Sequence, residues 1–287
     1  MQAKDFRRAL VIGAGTMGHG IAQVLAQTGL ETVLCDLDRG ALDRALVKVR
    51  ANLDKAVEKG KLGAAERDQA LARLSTHTDA LAAATGVDVV VEAVPEVLAL
   101  KQKILGGLGE RLGPGVLIAS NTSSLSLSAI AGAVRHPERV TGMHFFNPVH
   151  LMKLVEVVRA EQSSPAAVAA TVELGKRLGK EPITVQDRPG FASSRLGIAI
   201  GMEAIRMLEE GVASAADIDQ AMLLGYGCPM APLRLTVLVG LDVRLAIAEY
   251  LAKTLGPRFE PPALLRRLVA EGKLGKKSGQ GFYAWTD

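Results

Sequence analysis

The feature that most restricts the fold is Gly13-Ala14-Gly15-Thr16-Met17-Gly18, set between an apolar run over residues 9–12 and a helical stretch over residues 16–28. A second strand-like run, 32–35, follows, and Asp36 closes it, 23 residues after Gly13. The glycine spacing alone is common. Strand, tight turn, helix, strand and acid in register are the opening of a dinucleotide-binding βαβ unit. Gly13 permits the turn, Gly15 lets backbone N–H groups approach a pyrophosphate, and Gly18 lets the helix pack closely on the strand. Thr16 and Met17 lie at the helix N-terminus, whose partial positive charge favours phosphate. The Asp36 carboxylate suits the hydroxyls of an adenosine ribose and repels a 2′-phosphate, which favours NAD over NADP. FAD uses the same fingerprint and is the nearest rival, although no second flavin signal accompanies it.

The rest of the first two-thirds continues the pattern. Residues 87–91 form an apolar run typical of a buried parallel strand. Further strands are expected at 116–119, 139–145, 154–158 and 183–185. Helices are expected over 39–74, broken at Gly60 and Gly63, and over 96–112 and 165–178. This alternation predicts an α/β, Rossmann-like, doubly wound and mostly parallel sheet over residues 1–186. Beyond Asp187-Arg188-Pro189-Gly190 strand signals almost vanish. Helices at 193–210, 215–224, 232–255 and 261–271 predict an all-α C-terminal domain over residues 187–287. Ser214 and Asp217 have capping-box spacing before the second of these.

Of the 287 residues 48% are hydrophobic and 22% charged, a globular balance with room for two cores. A net charge of +4 is too mild to mark a nucleic-acid binder, and a single Trp leaves no base-stacking platform. Cys35 and Cys228 lie far apart and read as free thiols in a reducing compartment. With no signal or transit segment evident, a cytoplasmic protein is expected. The apolar stretch 233–251 is interrupted by Arg234, Asp242, Arg244 and Glu249. It reads as a buried or interface helix rather than a membrane span. His19, His77, His136 and His150 have no metal-ligand spacing with cysteines or acids, so no metal is expected.

The second informative region is Met143-His144-Phe145-Phe146-Asn147-Pro148 followed by Lys153-Leu154-Val155-Glu156-Val157-Val158. If the two strands are antiparallel neighbours centred on His150, facing residue numbers sum to 300, as those of His144 and Glu156 do. A carboxylate beside an imidazole fixes its tautomer and favours the imidazolium. That suits a general base taking a proton from an alcohol while hydride leaves the same carbon. A lone histidine on an apolar strand is usually a core residue; the glutamate and a nearby polar cluster change that reading. The cluster, Ser120-Asn121-Thr122-Ser123-Ser124, lies past the C-terminal end of a strand, where open α/β sheets bind ligands. Ser123 is a candidate for hydrogen bonding the reacting oxygen, and Asn147 for anchoring a carbonyl or the nicotinamide. Part of the serine run also reads as a helix cap before Ser128. Glu92 and Glu96 follow another strand end, and either meet a cofactor ribose or begin a helix.

At these residues the chain resembles the short, monofunctional L-3-hydroxyacyl-CoA dehydrogenases, including 3-hydroxybutyryl-CoA dehydrogenases. The likeness runs through nearly the whole chain, including Val91-Glu92-Ala93, Pro189-Gly190-Phe191, Gly240-Leu241-Asp242 and Lys277-Ser278-Gly279-Gln280-Gly281-Phe282-Tyr283. The resemblance implies NAD-dependent interconversion of an L-3-hydroxyacyl-CoA and a 3-ketoacyl-CoA, with His144 as acid/base, Glu156 as its partner and Ser123 on the 3-oxygen. It implies NAD contacts from Asp36, Glu96, Lys101 and Asn121. Lys55 and Lys59 match basic residues that meet CoA, although by themselves they read as a solvated helix face. It also implies a homodimer through the helical domain.

Three positions depart from the family pattern. Ser194 stands where the family usually has an asparagine near the substrate, Ala231 where it has glycine, and Val237 where it has aspartate. Serine is shorter than asparagine and lacks the amide's paired donor and acceptor. Two other readings keep the fold: an L-gulonate-type dehydrogenase acting on a hydroxyacid without CoA, and an NAD-binding protein without efficient chemistry.

Overall fold

The computed structural model describes residues 2–285, which divide into two compact units, one ending at Asp187 and the other starting at Arg188. The first is built on one eight-stranded sheet. Its strands are β1 (Arg8–Ile12), β2 (Glu31–Cys35), β3 (Leu74–His77), β4 (Val89–Glu92), β5 (Leu117–Ser120), β6 (Val140–Phe145), β7 (Leu154–Arg159) and β8 (Glu181–Gln186). The order is β3-β2-β1-β4-β5-β6-β7-β8, and every neighbouring pair is parallel except β6 and β7. The order reverses between β1 and β4, which opens a crevice at the C-terminal ends of those strands.

The helices of this unit are α1 (Gly18–Gln27), α2 (Arg39–Glu58), α3 (Ala64–Ala72), α4 (Ala80–Ala83), α5 (Leu98–Arg111), α6 (Leu127–Ala131) and α7 (Pro165–Arg177). Strands β1, β4 and β5 are apolar along nearly their whole length because both faces are covered. The sequence expectation of a helix reaching residue 74 fails at β3. That strand, Leu-Ser-Thr-His, alternates between half-buried and exposed at the sheet edge and carries no apolar run. The break between α2 and α3 falls at the expected glycines.

The second unit holds α8 (Ser193–Glu209), α9 (Ala215–Tyr226), α10 (Pro232–Val239), α11 (Leu241–Leu255) and α12 (Ala263–Ala270). Ser214 accepts from the Asp217 N–H and donates to its carboxylate, capping α9. The single helix expected over 232–255 is two, because Gly240 adopts φ +111° between them. Ile198, Met202, Leu233, Val237, Leu241 and Leu251 are among its buried core residues. Val237, one of the three departures, is fully buried, and its Cγ2 lies 3.0 Å from where a Cβ on Gly281 would stand. The position therefore serves packing of the C-terminal tail against α10.

Candidate active site

At the β1–β4 crevice a cavity of about 520 Å³ is lined by Gly13, Gly15, Thr16, Met17, Asp36 and Val94, among others. The three glycines have the distinct roles their spacing predicts. Gly13 has φ +100°, and a Cβ there would lie 2.6 Å from the Ala93 carbonyl oxygen. A Cβ on Gly18 would strike the Gly13 carbonyl at 1.7 Å, so helix and turn touch backbone to backbone. A Cβ on Gly15 would project into open space, the room a pyrophosphate needs beside a helix N-terminus. Asp36 follows β2; its Oδ2 accepts from the Ala14 N–H at 2.7 Å and its Oδ1 from the Asp38 N–H at 3.0 Å. The carboxylate is thereby aimed and keeps lone pairs for hydroxyl donors. The residues fit a dinucleotide.

The register expected from the sequence is the observed one: His144 faces Glu156 across the antiparallel β6–β7 pair. His144 Nδ1 lies 2.8 Å from Glu156 Oε2, and the residues are 7% and 0% exposed. A buried carboxylate accepting from Nδ1–H fixes the tautomer and orients the ring. Phe146 packs tilted against the imidazole, with centroids 4.7 Å apart. The turn between the strands is held by Lys180, which is 8% exposed and donates to the carbonyls of Val149 and Met152.

The serine cluster is organised from below by a network that the sequence did not reveal. Glu92, fully buried at the end of β4, accepts from Lys101 Nζ at 2.6 Å, Ser120 Oγ at 2.6 Å and the Val94 N–H at 2.7 Å. It is thus neither a ribose ligand nor a helix start. Lys101 also donates to the Val94 carbonyl at 3.2 Å and pairs with Glu96 at 3.3 Å. Its three N–H protons are engaged within the protein, and it is 1% exposed. Glu96 Oε1 accepts from Thr122 Oγ1 at 2.6 Å, the Ser123 N–H at 2.9 Å and the Ser124 N–H at 3.0 Å. Burial pushes the Glu96 carboxyl up, but the Lys101 ammonium and these hydrogen bonds outweigh it and hold it below the ordinary glutamate value. The loop bearing Ser123 is clamped by an ionised carboxylate.

The remaining candidates are placed as follows. Asn121 Oδ1 accepts from the Phe145 N–H at 2.9 Å, tying β5 to the strand that carries His144. Asn147 is exposed two residues past β6. Lys55, in the last turn of α2, and Lys59, the residue that follows the helix, lie four apart and are both exposed. Ser194 lies in the first turn of α8, in the second unit. Asp187 was not singled out by the sequence; it accepts from the Leu127 and Ser128 N–H groups at 3.0 and 2.7 Å and from Ser126 Oγ at 3.1 Å. It thereby caps α6, the helix that follows the serine loop. Among the described residues no three His, Cys, Asp or Glu side chains gather as a metal site, and no helix is long and apolar enough to cross a membrane.

A dinucleotide crevice beside a strand-borne histidine–glutamate pair defines the chain as an NAD-dependent dehydrogenase. Comparison with known proteins narrows this. Residues 8–188 match the 3-hydroxyacyl-CoA dehydrogenase NAD-binding domain, and 190–285 match the C-terminal domain of the same family. A probable 3-hydroxybutyryl-CoA dehydrogenase of Deinococcus radiodurans is 44% identical over 276 residues, covering 96% of this chain and 99% of its own. The mitochondrial hydroxyacyl-coenzyme A dehydrogenase of Sus scrofa is 40% identical, covering 97% of this chain and 91% of its own. The crystal structure of (S)-3-hydroxybutyryl-CoA dehydrogenase from Ralstonia eutropha superimposes with a TM-score of 0.94 at 41% identity, covering 99% of this chain and 100% of that one. The chain belongs to the 3-hydroxyacyl-CoA dehydrogenase family, and its cofactor is NAD.

Proposed function

We propose that His144 is the acid/base of this NAD-dependent oxidation of a 3-hydroxyacyl-CoA, and that Glu156 and Ser123 work with it. The observation that carries the reading is the buried 2.8 Å His144–Glu156 contact in a register set by two paired strands. With Nδ1 engaged by Glu156, Nε2 takes the proton of the 3-hydroxyl as hydride leaves C3. Glu156 stabilises the imidazolium that results, and returns the ring to its neutral tautomer when the proton leaves. Ser123 Oγ hydrogen-bonds the 3-oxygen, in a loop that Glu96 keeps in place. NAD, when bound, supplies the hydride acceptor.

Gly13, Gly15, Gly18, Thr16 and Met17 hold the pyrophosphate, and Asp36 the adenosine ribose. Glu96, Lys101 and Asn121 contact the cofactor beside them. Asn147 and Ser194 face the acyl-CoA, with Lys55 and Lys59 toward its phosphates. A homodimer through the helical unit is supported by exposed apolar side chains there, with Leu224 78% and Tyr226 81% exposed. A reducing, cytoplasmic setting suits two free cysteines. The deciding experiment is NADH oxidation by the purified protein with acetoacetyl-CoA and with a longer 3-ketoacyl-CoA. Loss of absorbance that disappears in His144→Ala, with NADH still bound, is the expected result. Undiminished turnover in that variant would remove His144 from the chemistry.

A further inference from the structure

The His144–Glu156 pair sits near the open end of its ladder. The facing residues of β6 and β7 run from Gly142–Val158 to Phe145–Val155, so a single rung lies beyond the pair. The end of a ladder opens more easily than its middle. A turn over residues 146–153 follows, in which the Leu151 and Met152 N–H groups both donate to the Pro148 carbonyl at 3.0 Å. Two contacts from elsewhere in the sheet unit hold this turn.

One comes from Lys180. Its backbone N–H donates to the Gly175 carbonyl in the last turn of α7 at 3.0 Å, and the Glu181 N–H donates to the Lys153 carbonyl at 2.8 Å. From this anchored backbone, Nζ donates to the carbonyl of Val149 and, at 2.8 Å, to that of Met152. A buried ammonium thus spans the turn, and hydrogen bonds from a charged donor are the stronger kind. The other contact is Gly20 on α1. A Cβ there would stand 2.9 Å from the Val149 Cβ, too close for two side-chain carbons. Val149 is buried, and its Cβ is a stem rather than a flexible tip, so the contact fixes the backbone of the turn against α1. Two residues earlier, Gly18 meets the glycine turn in the same way, at the Gly13 carbonyl. α1 therefore touches both the glycine turn and the turn of the histidine–glutamate pair with no side chain of its own between.

We propose that Gly20 and Lys180 are positioning residues of the hydride-transfer step: they clamp this turn to the helix that opens at the glycine turn, and so set where His144 stands relative to the cofactor. The inference rests on the reading of His144 as the acid/base. Both residues act through the turn rather than on the reacting atoms. Alignment is exacting, since a misplacement of about 1 Å costs a reaction on the order of 100-fold.

The test is a substitution and its mirror image. Gly20→Ala adds a methyl to which the turn must yield. Adding Val149→Gly removes the opposing stem, so the double variant carries the carbon on the other side of the contact. With acetoacetyl-CoA, Gly20→Ala should lower kcat by on the order of 10-fold while NADH affinity, from fluorescence titration, stays close to that of the parent. The double variant should recover most of the turnover, yet unfold at a lower urea midpoint, because a buried side chain is lost. Packing alone moves turnover and stability together; positioning moves them apart. Lys180→Met keeps the length of the side chain, removes both donors, and should lower kcat likewise. In cofactor-free protein, the Nδ1 proton of His144, assigned by its absence from His144→Ala, should exchange with water faster in Gly20→Ala and Lys180→Met than in the parent. Parental kcat in Gly20→Ala, a loss that Val149→Gly does not recover, or unchanged proton exchange overturns this inference alone. If Gly20→Ala does not fold, kcat and proton exchange in Lys180→Met decide. Parental turnover in His144→Ala overturns the acid/base reading and this inference with it.

Discussion

Two buried pairs of the sheet unit invite comparison, His144–Glu156 and Lys101–Glu92. Their contacts are 2.8 and 2.6 Å, and both glutamates are fully buried. The cations differ. An imidazole has two distinct nitrogens and changes charge near neutral pH, so with one nitrogen oriented by a carboxylate it can pass a proton at the other. An ammonium whose three N–H protons all go to protein acceptors passes nothing on, and serves as a tie between β4, α5 and the serine loop. On the proposed reading, similar separations and burial therefore serve a reactive pair in one place and a positioning pair in the other.

Substitutions at each pair should separate the two roles. The largest effect is expected for His144→Ala: turnover falls by on the order of 10³-fold while NADH affinity, from fluorescence titration, stays close to that of the parent. Equal losses in both would erase the contrast. Lys101→Met leaves Glu92 buried and unpaired, and should cost about 3–5 kcal/mol of stability in urea unfolding. Glu92→Leu combined with Lys101→Met should recover part of that, since two apolar groups leave no orphaned charge. A Lys101→Met protein that kept its midpoint would sink the structural assignment.

Smaller effects follow from the acids and the thiol. Glu156→Gln preserves the shape of the pair but removes its charge, so its turnover should lie between those of the parent and His144→Ala. The Glu96 carboxyl is depressed in the folded protein. Its stabilisation is present above the ordinary glutamate value of about 4.3 and is lost as pH falls through the folded value. The stability gap between the parent and Glu96→Gln should therefore narrow below that pH; a constant gap would contradict the clamp. Least of all, Cys35 should resist alkylation at pH 8, because burial and then Asp36 push its thiol up to about 11. Mass spectrometry should find the half-buried Cys228 labelled first.

What the sequence made legible follows from periodicity. A strand repeats every two residues, so numbering alone aligned His144 with Glu156 once the turn was centred on His150. The glycine turn was legible because each glycine answers a steric demand at a fixed offset. The Glu92–Lys101 contact crosses from a strand end to a helix nine residues on, through a connection with no repeating geometry. Glu92 therefore looked like one of two interchangeable acids. β3 was hidden because an exposed edge strand needs no apolar run. Lys180 carried no signal, because its hold on the Val149 and Met152 carbonyls depends on how the residue before β8 sits beside the turn.

The capping of α6 by Asp187 bears on how such proteins can be recombined. Asp187 is the last residue of the sheet unit, although the proline-glycine signal at 189–190 draws the eye to a cut just before it. A chimaera joined after Gln186 takes this residue from the donor of the helices, and so makes the recipient's serine loop depend on a foreign aspartate. Joined after Asp187, each parent keeps its own. Exchange of helical modules among relatives, by nature or by hand, should therefore succeed more often with the seam at Arg188.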